Sequence, residues 1–325
     1  MAILKHIDVS GGIDNALARH QRNAIFPFSR QVTGLQNCFM EYPRSISIET
    51  LVLCNATCGF CPYPDSPRKN QKMSSELFYK IIDDLKVIPE THNFYITLSR
   101  INEPLMDRRL KEFSLHIQKV FPTTKQIIWS NGTLLTKRNI EWISKIDSAS
   151  FSISLNSLDD DEHKIFMGLP LPPVVRKLDY LHDLLSKNLI NNDVVLYAPY
   201  LTQKQAEKFQ KSCAQRYPLF KSVNRPVFTW AGGSKKGSVE ILQSDPNMQN
   251  ASWKKNLPCG QWFDLHILAN GYVTKCCIDE AGFSDKAYNT VDNNCLDLYA
   301  RTLPYRQHLP SRITVQGCEE CIHLD

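Results

Sequence analysis

Hydrophobic positions along the chain change period again and again, from the two-residue repeat of a strand to the 3.6-residue repeat of a helix. Residues 46–53 form an apolar, β-rich run that predicts a strand. Residues 76–86 carry Leu77, Ile81, Ile82 and Leu85 at helical spacing, with Ser74 or Ser75 as the N-cap. The alternation continues with strands predicted over 94–99, 126–129, 149–155 and 193–197, and helices over 108–120, 138–146, 173–186 and 203–216. A last short strand is predicted over 227–230. Six strands alternating with helices over short connections predict an α/β fold with a parallel sheet covered by helices. Such a sheet is either open and doubly wound or a partial barrel, and the pattern alone does not choose. In both, the loops at the C-terminal ends of the strands carry the chemistry.

Four regions follow. Residues 1–44, mixed polar and aromatic, read as an irregular N-terminal extension with one short helix, and 45–232 hold the repeating βα units. Residues 233–256, rich in Gly, Ser, Lys, Asn and Asp, read as a connection, and 257–325 form a smaller cysteine-rich region. Within the last, the run from Leu265 to Cys276 reads as strand, Asn270-Gly271 turn, strand: a β-hairpin. No internal repeat or low-complexity tract is visible.

The 325 residues are 42% hydrophobic, enough for one large domain or a medium one with a small companion. No apolar run approaches the ~18 residues needed to span a bilayer, and the N-terminus lacks a secretory signal. The expectation is a cytoplasmic protein with no membrane partner. A net charge of +5 from scattered lysines and arginines permits an anionic substrate and gives no reason to expect nucleic acid. Eleven cysteines without an export signal point to metal or redox use rather than a disulfide framework.

Three of these cysteines lie within eight residues, Cys54-Asn-Ala-Thr-Cys58-Gly-Phe-Cys61, directly after the first predicted strand. A disulfide cannot use three evenly, and structural zinc prefers four ligands in CxxC pairs. Three thiolates in a polar, Pro-rich loop suit a 4Fe-4S cluster, which normally takes four cysteines, with one iron left open. The run resembles the CxxxCxxC signature of the radical S-adenosylmethionine (radical SAM) superfamily, including the aromatic Phe60 before the last cysteine. The resemblance implies a partial (β/α)6 barrel whose open iron holds the amino and carboxylate groups of SAM. It also implies cofactor-binding roles on successive strand ends. Glu103, in Ser99-Arg-Ile-Asn-Glu103-Pro-Leu, matches the family's Gly-Gly-Glu segment, although Ile101 and Asn102 replace the glycines. Ser130 and Asn131 match its Thr-Asn-Gly turn, and Ser154 and Asn156 its Ser-x-Asp run. Met167 stands near where many members carry an arginine for the SAM carboxylate, which leaves Arg100 to supply that charge.

A second set, Cys259, Cys276, Cys318 and Cys321, frames the hairpin and ends in CxxC. Four such cysteines suit a structural zinc ribbon. Beside the first motif they resemble the SPASM/twitch extension of radical SAM enzymes in its shortened, single-cluster form, implying an auxiliary 4Fe-4S cluster on these four. Cys277 and Cys295 remain, as buried spectators or as hydrogen donors to a substrate radical.

The resemblance implies reductive cleavage of SAM to a 5′-deoxyadenosyl radical, hydrogen abstraction from a C–H bond, and a flavodoxin- or ferredoxin-type electron donor. The expected substrate is a small polar metabolite: a sugar, an aminocyclitol or a nucleotide-linked compound undergoing oxidation, epimerisation or elimination. Modification of a ribosomally made peptide is the alternative, disfavoured because about 44 residues are too few for a leader-binding domain. A non-enzymatic iron–sulfur or zinc-binding protein is the alternative of another class.

Overall fold

The computed structural model describes residues 39–200, 203–226, 259–274, 276, 277, 279 and 288–308. The predicted strand over 227–230, the connection 233–256, most of the N-terminal extension, Cys318 and Cys321 lie outside the described residues.

The predicted alternation is present for the first five strands, and the sixth lies at Lys221–Pro226, ahead of the predicted 227–230. Strands β1 (Ser45–Ile48), β2 (Tyr95–Thr97), β3 (Lys125–Ser130), β4 (Ala149–Ser154), β5 (Val194–Tyr200) and β6 (Lys221–Pro226) alternate with helices. These are α1 (Ser75–Asp84), α2 (Leu110–Val120), α3 (Lys137–Ser144), α4 (Asp160–Met167), α5 (Pro172–Ser186) and α6 (Gln203–Arg216). The six strands are parallel and lie in chain order, β6-β5-β4-β3-β2-β1. Chain order is what a barrel requires, whereas a doubly wound sheet reverses direction partway. The fold is therefore a partial (β/α)6 barrel.

Strand alternation sorts the side chains. Ile46, Ile48, Ile96, Leu98, Ile128, Phe151, Ile153 and Leu196 point outward into one core with Phe78, Ile81, Phe113, Ile117, Ile143 and Leu178 from the helices. Each such fully buried side chain contributes about 1.5–3 kcal/mol. Two helix starts carry side-chain caps: the expected Ser74, its Oγ accepting from Leu77 N at 3.1 Å, and Thr136, its Oγ1 accepting from Asn139 N at 3.2 Å.

Three departures from the sequence reading matter for the site. β1 ends at Ile48, well short of the predicted 53, because residues 50–53 leave the sheet and pair with the returning chain. Val52 N donates to Gln71 O at 2.8 Å, Asn70 N to Val52 O at 2.8 Å and Met73 N to Thr50 O at 3.0 Å. Helix α4 was not predicted; four acidic residues open it, and only His163 and Met167 are buried, so its apolar period is faint. The hairpin forms as predicted, β7 (Asp264–Ile267) antiparallel to β8 (Val273–Thr274) around a Gly271 at φ +86°. Yet β7 also pairs in parallel with β1, so hairpin and barrel share one eight-stranded sheet. Two short helices, α7 (Cys295–Ala300) and α8 (Leu303–His308), follow. Among the described residues, no helix is long and apolar enough to cross a membrane.

Candidate active site

Cys54, Cys58 and Cys61 sit half-buried on the loop beyond β1, at the C-terminal end of the sheet. The loop is closed at its base by the pairing of residues 50–53 with 70–73 and is seated at its tip on α4. Thr57 N donates to Met167 O at 2.9 Å and Gly59 N to Phe166 O at 3.3 Å. Gly168, the left-handed C-cap of α4 at φ +66°, makes this approach possible: a Cβ there would meet Thr57 Oγ1 at 2.0 Å. The sequence signals for this seat were Asp159, whose carboxylate accepts from Glu162 N at 3.1 Å as an N-cap, and Gly168 eight residues beyond α4's start.

The donor set fits iron and sulfide. Three thiols are soft ligands, and Cys54 Sγ is faced by Ala56 N at 3.4 Å and Asn131 Nδ2 at 4.0 Å, N–H groups that suit a thiolate. Burial pushes the Cys54 thiol above its ordinary pKa, and the nearby Glu103 carboxylate adds to the rise. Among the described residues, no three Cys, His, Asp or Glu stand close enough to hold one metal ion.

Glu103 lies on the loop after β2, 1% exposed. Its backbone N–H donates to Leu53 O at 2.9 Å, tying it to the residue before Cys54. Its carboxylate accepts from Ser130 Oγ at 3.0 Å, Asn131 N at 2.7 Å and Leu105 N at 3.2 Å. Burial lifts its pKa to about 7, with these hydrogen bonds working against the rise. Asn131 in turn donates to Asn55 Oδ1 at 2.8 Å, and Asn55 Nδ2 to Thr133 Oγ1 at 2.9 Å. Three consecutive strand ends are thus laced together around Cys54.

Ser154 ends β4, and Asn156, at φ +64°, follows it. The Asn156 amide contacts Met167 Sδ, which also lies 3.5 Å from Cys58 Sγ. Met167 thus occupies the space between the Asn156 and cysteine loops. A cavity of about 130 Å³ opens beside Asn156, lined also by Ser157, Phe166, Pro199, Lys208 and Phe209. Phe60 is half-buried on the cysteine loop.

Arg100 does not take the place of the missing arginine. Its guanidinium turns to the hairpin, donating to Thr274 Oγ1 at 2.9 Å, Cys277 O at 3.1 Å and Asp279 O at 2.7 Å. Of the second cysteine set, Cys259 is buried beside Trp262 and Cys276 is half-buried at the end of β8. Cys277 is half-buried next to it. Cys295 is fully buried in the helix-facing core at the start of α7, its N–H donating to Asp84 Oδ2 at 2.9 Å.

A barrel with a three-cysteine loop beyond its first strand, braced by a buried glutamate and an asparagine turn from the next two strands, defines an iron–sulfur enzyme class. The chain belongs to the radical SAM superfamily, whose family description matches residues 48–212. It is similar to the S-adenosyl-L-methionine-dependent 2-deoxy-scyllo-inosamine dehydrogenase of Niallia circulans, 26% identical over 110 residues; the match spans 34% of this chain and 43% of that relative. Among solved structures, BtrN in complex with AdoMet and 2-DOIA matches with a TM-score of 0.54 and 16% identity over 86% of this chain and 93% of that one. SuiB of Streptococcus suis bound to S-adenosylmethionine matches with a TM-score of 0.62 and 15% identity over 96% and 77%. At these identities the structural likeness is one of fold.

Proposed function

We propose that this radical SAM enzyme oxidises a hydroxyl-bearing carbon of a small polar metabolite of the sugar or aminocyclitol kind. Cys54, Cys58 and Cys61 hold the SAM-binding 4Fe-4S cluster. When bound, cluster and SAM supply one-electron cleavage to a 5′-deoxyadenosyl radical that takes hydrogen from a C–H bond. Glu103 receives the SAM amino group, and its braces from Ser130 and Asn131 keep the carboxylate fixed as charge arrives. Ser154 and Asn156 face the remaining parts of SAM or the substrate, with Phe60 closing the loop over them. Cys259 and Cys276, with Cys318 and Cys321, hold an auxiliary cluster that supplies a one-electron acceptor.

The observation that carries this reading is the lacing of the cysteine loop to Glu103 and Asn131 across three strand ends. The oxidative outcome is favoured by the aminocyclitol dehydrogenase relative and by Arg100, which ties the SAM side of the barrel to the Cys276–Asp279 turn. Redox-neutral epimerisation is the second reading, because half-buried Cys277 adjoins a proposed cluster ligand. The electron donor is a flavodoxin or ferredoxin.

Anaerobic reconstitution tests the proposal. About eight irons per chain, for two four-iron clusters, and 5′-deoxyadenosine formed from SAM and reductant are expected. Zinc alone, with no SAM cleavage after reconstitution, overturns it. Product made in deuterated water separates the two outcomes: solvent deuterium that Cys277→Ala abolishes means epimerisation, and a ketone without it means oxidation.

A further inference from the structure

On β1, β2 and β4 the inner face of the sheet carries hydroxyls. While the apolar residues of β1, β2 and β4 point outward to the helices, Ser47, Thr97, Ser150 and Ser152 occupy the opposite face. Register places Ser47 beside both Thr97 on β2 and His266 on β7, and places His266 across from Thr274 on β8. His266 therefore stands on this inner face. It is 3% exposed, and neither Nδ1 nor Nε2 has a hydrogen-bond partner among the described residues. A neutral imidazole carries one donor and one acceptor, and burying both unmatched is unfavourable.

The hydroxyls around the ring are already engaged. Ser47 Oγ donates to Ser99 O at 2.8 Å, Thr97 Oγ1 and Ser99 Oγ share a bond at 2.9 Å, and Thr274 Oγ1 donates to Cys276 O at 2.8 Å. These bonds fix the wall and leave the imidazole as its unsatisfied element. Burial, with the Arg100 and Arg44 guanidinium charges, pushes the His266 pKa well below its ordinary value, so the ring is neutral. Further round the same face, half-buried Trp129 and Tyr197 lie with ring centroids 4.5 Å apart and planes tilted by 45°, an aromatic corner beside the hydroxyl wall. Hydroxyl wall, uncharged donor–acceptor and aromatic surface together match a polyhydroxylated ring, which presents hydroxyls at its rim and C–H groups on its faces.

We infer that His266 is a substrate-recognition residue of this barrel, hydrogen-bonding hydroxyls of a neutral or amino-substituted polyhydroxylated ring. The inference rests on the proposed oxidation of such a metabolite and names the side chain that selects it. No such role was visible in the sequence, where His266 is one histidine within an apolar run.

Full-length protein, reconstituted anaerobically and saturated with SAM, is titrated calorimetrically with 2-deoxy-scyllo-inosamine and with myo-inositol. The wild type is expected to bind at least one of them. His266→Phe, which removes donor and acceptor, weakens that binding about tenfold or more, as loss of two buried hydrogen bonds implies. His266→Asn, too short to reach the same hydroxyls, is expected to show the same loss, and covers the case in which the larger ring disturbs folding. Iron content and circular dichroism serve as folding controls. Wild-type protein that cleaves SAM yet binds neither ring, or folded variants with wild-type affinity, overturn the inference and leave the radical SAM assignment standing. Wild-type protein that fails to cleave SAM overturns the proposed function, and this inference with it.

Discussion

Two cysteine-bearing regions share one sheet and are held by different means. The loop of Cys54, Cys58 and Cys61 is fixed mainly by backbone hydrogen bonds: its base pairs with residues 70–73, its flank with Glu103, and its tip with the carbonyls of Phe166 and Met167. The region of Cys259 and Cys276 adds side-chain latches to the backbone ladder between β7 and β1. Arg100 spans from the barrel to Thr274, Cys277 and Asp279. Thr290 Oγ1 donates to Gly271 O at 2.8 Å, and Lys80 and Asp84 on α1 hold Asn293 and Cys295. Backbone pairing tolerates most side-chain changes, whereas a side-chain latch is lost with a single substitution. The turn beyond β8 is therefore the part of the second region that a single substitution can loosen, while β7 stays paired to β1.

The contrast is broken most severely at the cysteines themselves. Cys58→Ala is expected to abolish 5′-deoxyadenosine formation, while Cys276→Ala keeps SAM cleavage and loses about half the iron, as one four-iron cluster of two. Iron assay and SAM turnover on the two variants check this; equal loss of turnover in both would erase the distinction.

Next in size is the pH dependence of Glu103 in iron-free protein. Burial raises its folded pKa from 4.5 to about 7, so the folded state holds the proton more tightly than the unfolded chain. Its contribution is full below pH 4.5 and is lost as pH rises through 7, about 3 kcal/mol in all. Glu103→Gln should flatten this limb in urea unfolding at pH 5 and pH 8. An unchanged slope would assign the pH dependence elsewhere.

Gly168→Ala comes third. The left-handed backbone and the 2.0 Å approach to Thr57 predict destabilisation by about 2–3 kcal/mol and a weakened grip on iron. Gly271→Ala, whose Cβ would lie 2.9 Å from Asn289 Oδ1, should cost less and leave SAM cleavage intact. Thermal melts and iron content on the pair measure the difference.

The smallest expected effect is that of Arg100→Met. It leaves Thr274 and two carbonyls without their donor, costing about 1–2 kcal/mol, and should speed amide exchange at Cys277 and Asp279 while SAM cleavage persists. Exchange spread evenly over the barrel instead would show that Arg100 is no local latch.

The first five strands, most of the helices and the hairpin were legible because each is a local pattern: period, the Ser74 cap and an Asn-Gly turn. The first cysteine loop was legible because its ligands are close in sequence. Helix α4 was missed because its apolar period is faint, with only His163 and Met167 buried, so its Asp159 and Gly168 caps stood without a pattern between them. Arg100 was expected near SAM from its neighbours in sequence, but its long side chain reaches a turn more than 170 residues away. Of the two unassigned thiols, Cys277 stood out in the sequence by adjoining an expected cluster ligand, and packing adds that Cys277 is half-buried while Cys295 lies in the core.

By itself, the sequence determined the order of βα units, the three-cysteine loop and the membership these imply, because those signals arise between near neighbours. The tertiary structure alone decided that the hairpin joins the barrel sheet at β1, that α4 seats the cysteine loop, and that His266 is buried among hydroxyls without a hydrogen-bond partner among the described residues. Those facts depend on register between strands far apart in the chain, and register is set by the packing of the whole sheet rather than by any one segment.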